Sequence, residues 1–218
     1  MPSLYGLKHW YTRRLNFLVQ ASVRRGISPD VWTVVGVVAG ALGAAAVVMG
    51  WWPAAFILLA ARLGGANLDG AVARARGVSR PFGFVLNEVG DRSSDLFMMG
   101  GLVGLALRTG APHSTVVLLL VAALAATLPT FISVSAAGAG APRLNGGPVG
   151  KTERCLLAVV AAAVPAWLVP IAWIIILGSL LTAAMRLVRT GRTLAASPSG
   201  DSQDALCPSA ASAPKPTH

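Results

Sequence analysis

Acidic side chains are scarce in this sequence: eight Asp and Glu stand against eighteen Lys and Arg in 218 residues. Charge of either sign is thin as well, at 12% of residues, where a soluble globular domain carries about 25%. With 55% of residues hydrophobic, this sparseness excludes one ordinary soluble core and points to several membrane spans. Cysteine is limited to Cys155 and Cys207, which lie far apart and form neither a metal nor a redox pattern. His9, His113 and His218 have no ligand-like spacing either. No short apolar segment with a small-residue cleavage site opens the chain, so no removable signal peptide is expected. The net charge of +10 raises the question of nucleic acid, but no base-reading module accompanies it. The excess is read instead as the basic loops that orient a membrane protein.

What is present is a set of apolar runs, each near the roughly 20 residues that cross a bilayer. They predict an all-α, polytopic membrane protein with six spans: Val31–Trp52, Pro53–Arg76, Phe82–Leu107, Ser114–Ala137, Cys155–Val169 and Pro170–Val188. Residues 1–30 mix Lys8, Arg13, Arg14, Arg24 and Arg25 with Trp10, Tyr11, Leu15, Phe17 and Leu18, the composition of an amphipathic helix on a membrane surface. The six-helix unit then covers residues 31–193, and the Ser/Pro/Ala-rich tail 194–218 is expected to be disordered. Basic residues gather on one side: the N-terminal segment, the turn with Arg74, Arg76 and Arg80, the loop with Arg143, Lys151 and Arg154, and the end with Arg186, Arg189 and Arg192. The opposite side offers chiefly Arg108 and His113, so both termini are expected in the cytoplasm and the protein in the cell membrane. The six Trp residues fit anchoring at the membrane interface.

Four of the eight acids, Asp69, Glu88, Asp91 and Asp95, fall inside predicted spans two and three. Ionisable groups there are costly and usually face a bundle interior or a wet cavity. At about 100° per residue, Asn87, Glu88, Asp91 and Asp95 share roughly 100° of one helix face. At 1.5 Å per residue, Asp69 lies about 10 Å from Arg76, while Glu88 and Asp91 lie about 9 and 14 Å from Phe82. The carboxylates can therefore meet near the cytoplasmic side, and oxygen ligands from two helices suit Mg²⁺ or Mn²⁺. Asp95 is deeper, level with Arg62, and is expected to pair with it structurally.

The spacing in this region is specific. Asp69-Gly70 is followed by two residues, Ala73-Arg74, eight residues, Gly83, three residues, Asn87, three residues and Asp91. It resembles the signature of the CDP-alcohol phosphotransferase family, with every interval kept. Ile27-Ser28-Pro29-Asp30-Val31-Trp32-Thr33 is similar to that family's segment before its first span, and Gly150-Lys151-Thr152-Glu153-Arg154 to its basic loop before span five. The likeness covers about residues 5–190. Two positions depart: the family's first Asp corresponds to Ala66 and its third to Asn87, while Asp69 and Asp91 remain. A register using Asp91 and Asp95 as the last two acids displaces Gly83 by one helical turn, so the first register is adopted.

The resemblance implies transfer of a phosphatidyl-like group from a CDP-diacylglycerol-like donor to an alcohol or sugar-alcohol acceptor, with release of CMP. It implies a membrane-embedded homodimer using Mg²⁺ or Mn²⁺. Asp91 is its general base. Asp69 and Asp91 are metal ligands, with Asn67, Asn87 and Glu88 as candidate replacement oxygens. Gly70, Ala73, Arg74, Gly83, Lys151 and Arg154 form its substrate-binding set: Gly70 for close approach of the nucleotide, Arg74 for the diphosphate and Gly83 for the cytidine. Each has a plainer competitor. Gly70 and Gly83 also suit helix packing, Asn87 an interhelical hydrogen bond, and Lys151 and Arg154 the orientation charge. The departures at Ala66 and Asn87 are consistent with a weaker or single-metal site, or with an inactive member that keeps the fold. A small transporter using the acids as an ion relay is the remaining alternative, and the motif spacing argues against it.

Overall fold

A computed structural model describes residues 14–144 and 146–196, and among them every regular element is helical. In chain order these are α1 (Asn16–Arg24), α2 (Pro29–Val48), α3 (Trp52–Ala75), α4 (Pro81–Arg108), α5 (His113–Gly138), α6 (Lys151–Ala163) and α7 (Leu168–Ala196), with a 3-10 turn at Pro165–Trp167 before α7. Of the expected surface segment 1–30, residues 1–13 lie outside the described residues, as do residues 197–218 of the expected tail.

Local chemistry sets the helix boundaries. Ser28 caps α2 by accepting the Asp30 N–H at 3.3 Å, and Pro29 supplies the fixed φ favoured at a first helical position. Gly50, Gly77 and Gly110 follow α2, α3 and α4 at φ of +72°, +65° and +69°, the left-handed conformation that closes a helix. At the start of α6, Glu153 Oε2 accepts the Gly150 N–H at 3.1 Å. The chain leaves helix geometry at Val164 and turns through Pro165 into α7.

Small residues let the helices touch. A Cβ added to Gly65 of α3 would fall 2.7 Å from Gly36 N and from Trp32 O of α2, so the two backbones meet directly. Gly40 of α2 likewise faces Ser94 of α4, and Gly101 of α4 faces Ala44. Helix α2 is thus held between α3 and α4. Behind them, Leu102 and Leu105 of α4, Leu119 of α5, Cys155 of α6 and Ile171 and Ile175 of α7 belong to one apolar core. Helix α1 lies on the end of α3, with Val19 packed in a cluster with Leu68 and Val72. Arg76 Nη1 donates to Gly26 O and Ile27 O at 3.1 and 2.7 Å, fastening the α1–α2 turn to the end of α3.

Four helical segments are long and apolar enough to cross a membrane: Pro29–Val48, Trp52–Ala75, His113–Gly138 and Pro165–Ala196. Helix α4 is long enough, but Glu88, Asp91, Arg92 and Asp95 lower its hydropathy. Helix α6 has 13 residues, about 20 Å at 1.5 Å per residue, against a hydrocarbon core of about 30 Å. The expected division between spans five and six is corrected. The break lies at Val164, and α6 begins at Lys151 rather than Cys155. The apolar run from Leu156 onward hides it, because neither Val164 nor the 3-10 turn carries a charged residue.

Candidate active site

The chemistry-bearing side chains meet between the ends of α2, α3 and α4. Asp69 sits on the penultimate turns of α3, and its Oδ2 accepts the Thr33 hydroxyl of α2 at 3.0 Å while Oδ1 accepts the Gly70 N–H. Asp91 faces it from α4 and is ion-paired through Oδ2 with Lys151 Nζ from the first residue of α6. Both carboxylates are buried. They open onto one small, partly open cavity, whose walls include Thr33, Arg62, Ala66, Asp69, Asn87 and Asp91. The two positions that depart from the family's signature, Ala66 and Asn87, thus lie in the same cavity as the two that keep it.

The other expected site residues fall into distinct places. Gly70, Ala73 and Arg74 lie on the last turns of α3, with Gly83 on the first turn of α4. A Cβ on Gly70 would come 3.1 Å from Arg74 Nη1, so the Arg74 side chain folds back over Gly70. The space beside Gly83 is bounded by Arg80 Cγ, 3.4 Å from where a Cβ would be. Glu88 turns away from the cavity, to an ion pair with Arg143 and a 3.5 Å contact with Arg92. Arg154, expected to bind substrate, is buried and engages Asp95 with Nη2–Oδ2 at 2.6 Å and Nε–Oδ1 at 3.3 Å.

This last pair corrects the expected Arg62–Asp95 bridge. Helix α6 delivers Arg154 to Asp95, and that partner takes the place expected of Arg62. Arg62 is buried and reaches the cavity instead, where its Nη2 stands 3.5 Å from Asp91 O. Arg186, an orientation charge by sequence, also ties elements together. Its Nη1 donates to Pro129 O at 2.7 Å and to Ser133 Oγ at 3.0 Å, and its Nη2 donates to Gly146 O at 2.9 Å, so it joins α7 to α5 and to the loop before α6.

Asp69, Asn87 and Asp91 offer hard oxygen donors to one cavity, the donor type of Mg²⁺ or Mn²⁺. They fit one such ion. Ala66 brings no oxygen, and among the described residues no three His, Cys, Asp or Glu side chains converge as a metal-binding group, so a four-carboxylate pair of ions does not fit.

Comparison with known proteins places the chain in a family. The phosphatidylinositol phosphate synthase of Mycobacteroides abscessus is 30% identical over 191 residues, covering 83% of this chain and 86% of that protein. The Mycobacterium marinum protein of the same name is 31% identical over 187 residues, covering 81% and 79%. Among solved structures, the Mycobacterium tuberculosis phosphatidylinositol phosphate synthase with CDP-DAG bound superposes with a TM-score of 0.68 at 27% identity, covering 86% of this chain and 96% of that one. The same synthase in complex with manganese and citrate gives a TM-score of 0.66 at 26% identity, covering 80% and 87%. Such enzymes are divalent-metal-dependent transferases of phospholipid synthesis. Residues 27–188 match the CDP-alcohol phosphatidyltransferase family, and the chain belongs to that family.

Proposed function

We propose that this chain moves a phosphatidyl group from a CDP-diacylglycerol-like lipid to a hydroxyl of a phosphorylated sugar alcohol, releasing CMP at the cytoplasmic face of the cell membrane. The observation that carries this reading is the meeting of Asp69 and Asp91 from facing helices in one buried cavity beside Lys151. The reaction class is that of the family, and the relatives' names supply the acceptor class.

In the chemistry proposed, Asp91 takes the proton of the acceptor hydroxyl. The freed oxygen attacks the donor's β-phosphorus, a new P–O bond forms, and the P–O bond to CMP breaks. Lys151 holds the Asp91 carboxylate in place and sets a cation where an anionic acceptor arrives. Asp69, Asn87 and Asp91 would hold one Mg²⁺ or Mn²⁺, which when bound neutralises charge on the departing CMP. Gly70 lets the α3 backbone approach the nucleotide, Ala73 keeps that face small, and Arg74 pairs with diphosphate oxygens. Gly83 leaves room for the cytidine. Arg143 and Arg186 add positive charge around the loop between α5 and α6, which suits an acceptor phosphate.

Helices α4 and α6 complete a six-span bundle on this reading, with their charged ends turned to the bundle interior. Helix α1 lies on the membrane surface, both termini are cytoplasmic, and two copies assemble as a homodimer; the expected start of the tail at residue 194 is corrected, because α7 continues through Ala196. The test is release of CMP by the purified full chain with CDP-diacylglycerol, Mn²⁺ and a panel of acceptors. Release that depends on a sugar-alcohol phosphate supports the reading. Absence of release with every acceptor points to the family member that keeps the fold without the activity.

A further inference from the structure

Arg62 has no use in the scheme above, yet it is 1% exposed and lines the same cavity as Asp69 and Asp91. Its Nε and Nη1 have no hydrogen-bond partner among the described residues, and Nη2 has only the 3.5 Å approach to Asp91 O. A buried guanidinium left so poorly satisfied is costly, and such a group calls for an explanation. Its position gives one. Arg62 stands four residues before Ala66 and seven before Asp69, on one face of α3.

The charges of the cavity point the same way. Where the family's signature has four carboxylates, this chain keeps Asp69 and Asp91 and has Ala66 and Asn87 in the other two places. Two negative charges are gone, and Arg62 adds a positive one. With Lys151 already on Asp91, two cationic side chains offset two carboxylates before any metal binds. A guanidinium with free N–H groups is a forked receptor for phosphate oxygens.

We infer that Arg62 is a substrate-binding residue that takes an oxygen of the donor's diphosphate directly, supplying charge that a second divalent ion would otherwise bring. The inference rests on the CDP-lipid reading above. It implies that the cavity holds one metal ion and that part of donor affinity is independent of metal.

The experiment is calorimetric titration of the full chain in detergent with CDP, in Mn²⁺ and separately in EDTA, alongside thermal melting. The unmodified protein is expected to keep measurable CDP binding in EDTA. Arg62→Met is expected to weaken that binding at least tenfold while melting at the same or a higher temperature, because a poorly paired buried charge has been removed. Arg62→Lys keeps the charge without the fork and is expected to fall between. Should Arg62→Met fail to fold, Ala66→Asp serves: a carboxylate one turn away engages Arg62, and metal-free CDP binding is expected to drop tenfold or more. Binding by the unmodified protein only with Mn²⁺, or equal binding by all variants in EDTA, overturns the role of Arg62 alone. No CDP binding under either condition overturns the CDP-lipid reading together with it.

Discussion

At the scale of single residues, two buried acids four positions apart have different work. Asp91 opens on the cavity and is held by Lys151, whereas Asp95 is closed off by a forked contact with Arg154. Asp91→Asn keeps the shape of the side chain and loses its capacity to accept a proton. It is expected to reduce CMP release about 10²- to 10⁴-fold, the range for a lost general base, in a protein that still melts cooperatively in detergent. Full activity in Asp91→Asn would move the base elsewhere. Asp95→Ala strands the Arg154 guanidinium in the core, which costs about 3–5 kcal/mol for one partner of a buried pair. Arg154→Ala leaves Asp95 with only the 3.5 Å contact to Arg92 Nη1 and is expected to lower the melting temperature by less, again leaving Mn²⁺ affinity nearly unchanged. The double replacement Asp95→Leu with Arg154→Met removes both charges and is expected to recover most of the loss. The pairing of Asp95 with Arg154 was not legible in sequence. Rise per residue fixes the depth of Asp95 and Arg62 along two helices, but the rotation of α6 that delivers Arg154 depends on packing by Cys155, Ala158 and Ala162. Asp69, Asn87 and Asp91 were legible because they recur at fixed intervals on two helices joined by a short turn.

Among the helices, the α2–α3 crossing controls the site although it contains no catalytic group. Thr33 of α2 holds Asp69 of α3, and that hydrogen bond depends on the contact of Gly36 with Gly65 one turn away. Gly65→Ala places a methyl 2.7 Å from the Gly36 nitrogen and the Trp32 oxygen, which are backbone atoms and cannot rotate aside. The helices must separate, an overpacking that costs about 1–3 kcal/mol. Melting in detergent is expected to fall, and Mn²⁺ affinity with it, because Asp69 loses its hold. Gly100→Ala is the control: a Cβ there meets nothing within 4 Å, and the exchange is expected to leave both properties within error or slightly raise stability. A fall in melting temperature of equal size in both variants would show that glycine as such, not the crossing, is what matters. The same elements show where sequence reading stops. Helices α2 and α5 are visible as long apolar runs, and α3 as one broken only by Arg62, Asn67, Asp69 and Arg74, whereas the α6–α7 break at Val164 sits inside an apolar run with only Pro165 to mark it.

Across the whole molecule, charge and cavity lie at the same end. Asp69 is about 9 Å from the end of α3 at 1.5 Å per residue, and Arg74, Arg76 and Arg80 gather just beyond it. Lys151 begins α6 and Arg186, Arg189 and Arg192 occupy the last part of α7, so successive helices return their basic ends to this side. The opposite turns carry Arg108 and His113, with Trp51 and Trp52 exposed between α2 and α3 as an interface anchor would be. The excess of Lys and Arg in short loops predicts that the cavity end faces the cytoplasm, where the CMP of the proposed reaction would be released. Fusions read this directly. Green fluorescent protein joined to the C-terminus is expected to fluoresce, since it folds on the cytoplasmic side. Alkaline phosphatase joined after Thr109, in the turn between α4 and α5, is expected to be active, since it needs the oxidising side. The Thr109 fusion also decides whether α4 crosses the bilayer despite Glu88, Asp91, Arg92 and Asp95. If α4 stays on the cytoplasmic side, phosphatase at Thr109 is inactive while the C-terminal fluorescence can persist. Active phosphatase at Thr109 with a dark C-terminus would place α6 and α7 across the membrane an odd number of times, and the 13-residue α6 would be the helix that fails to span.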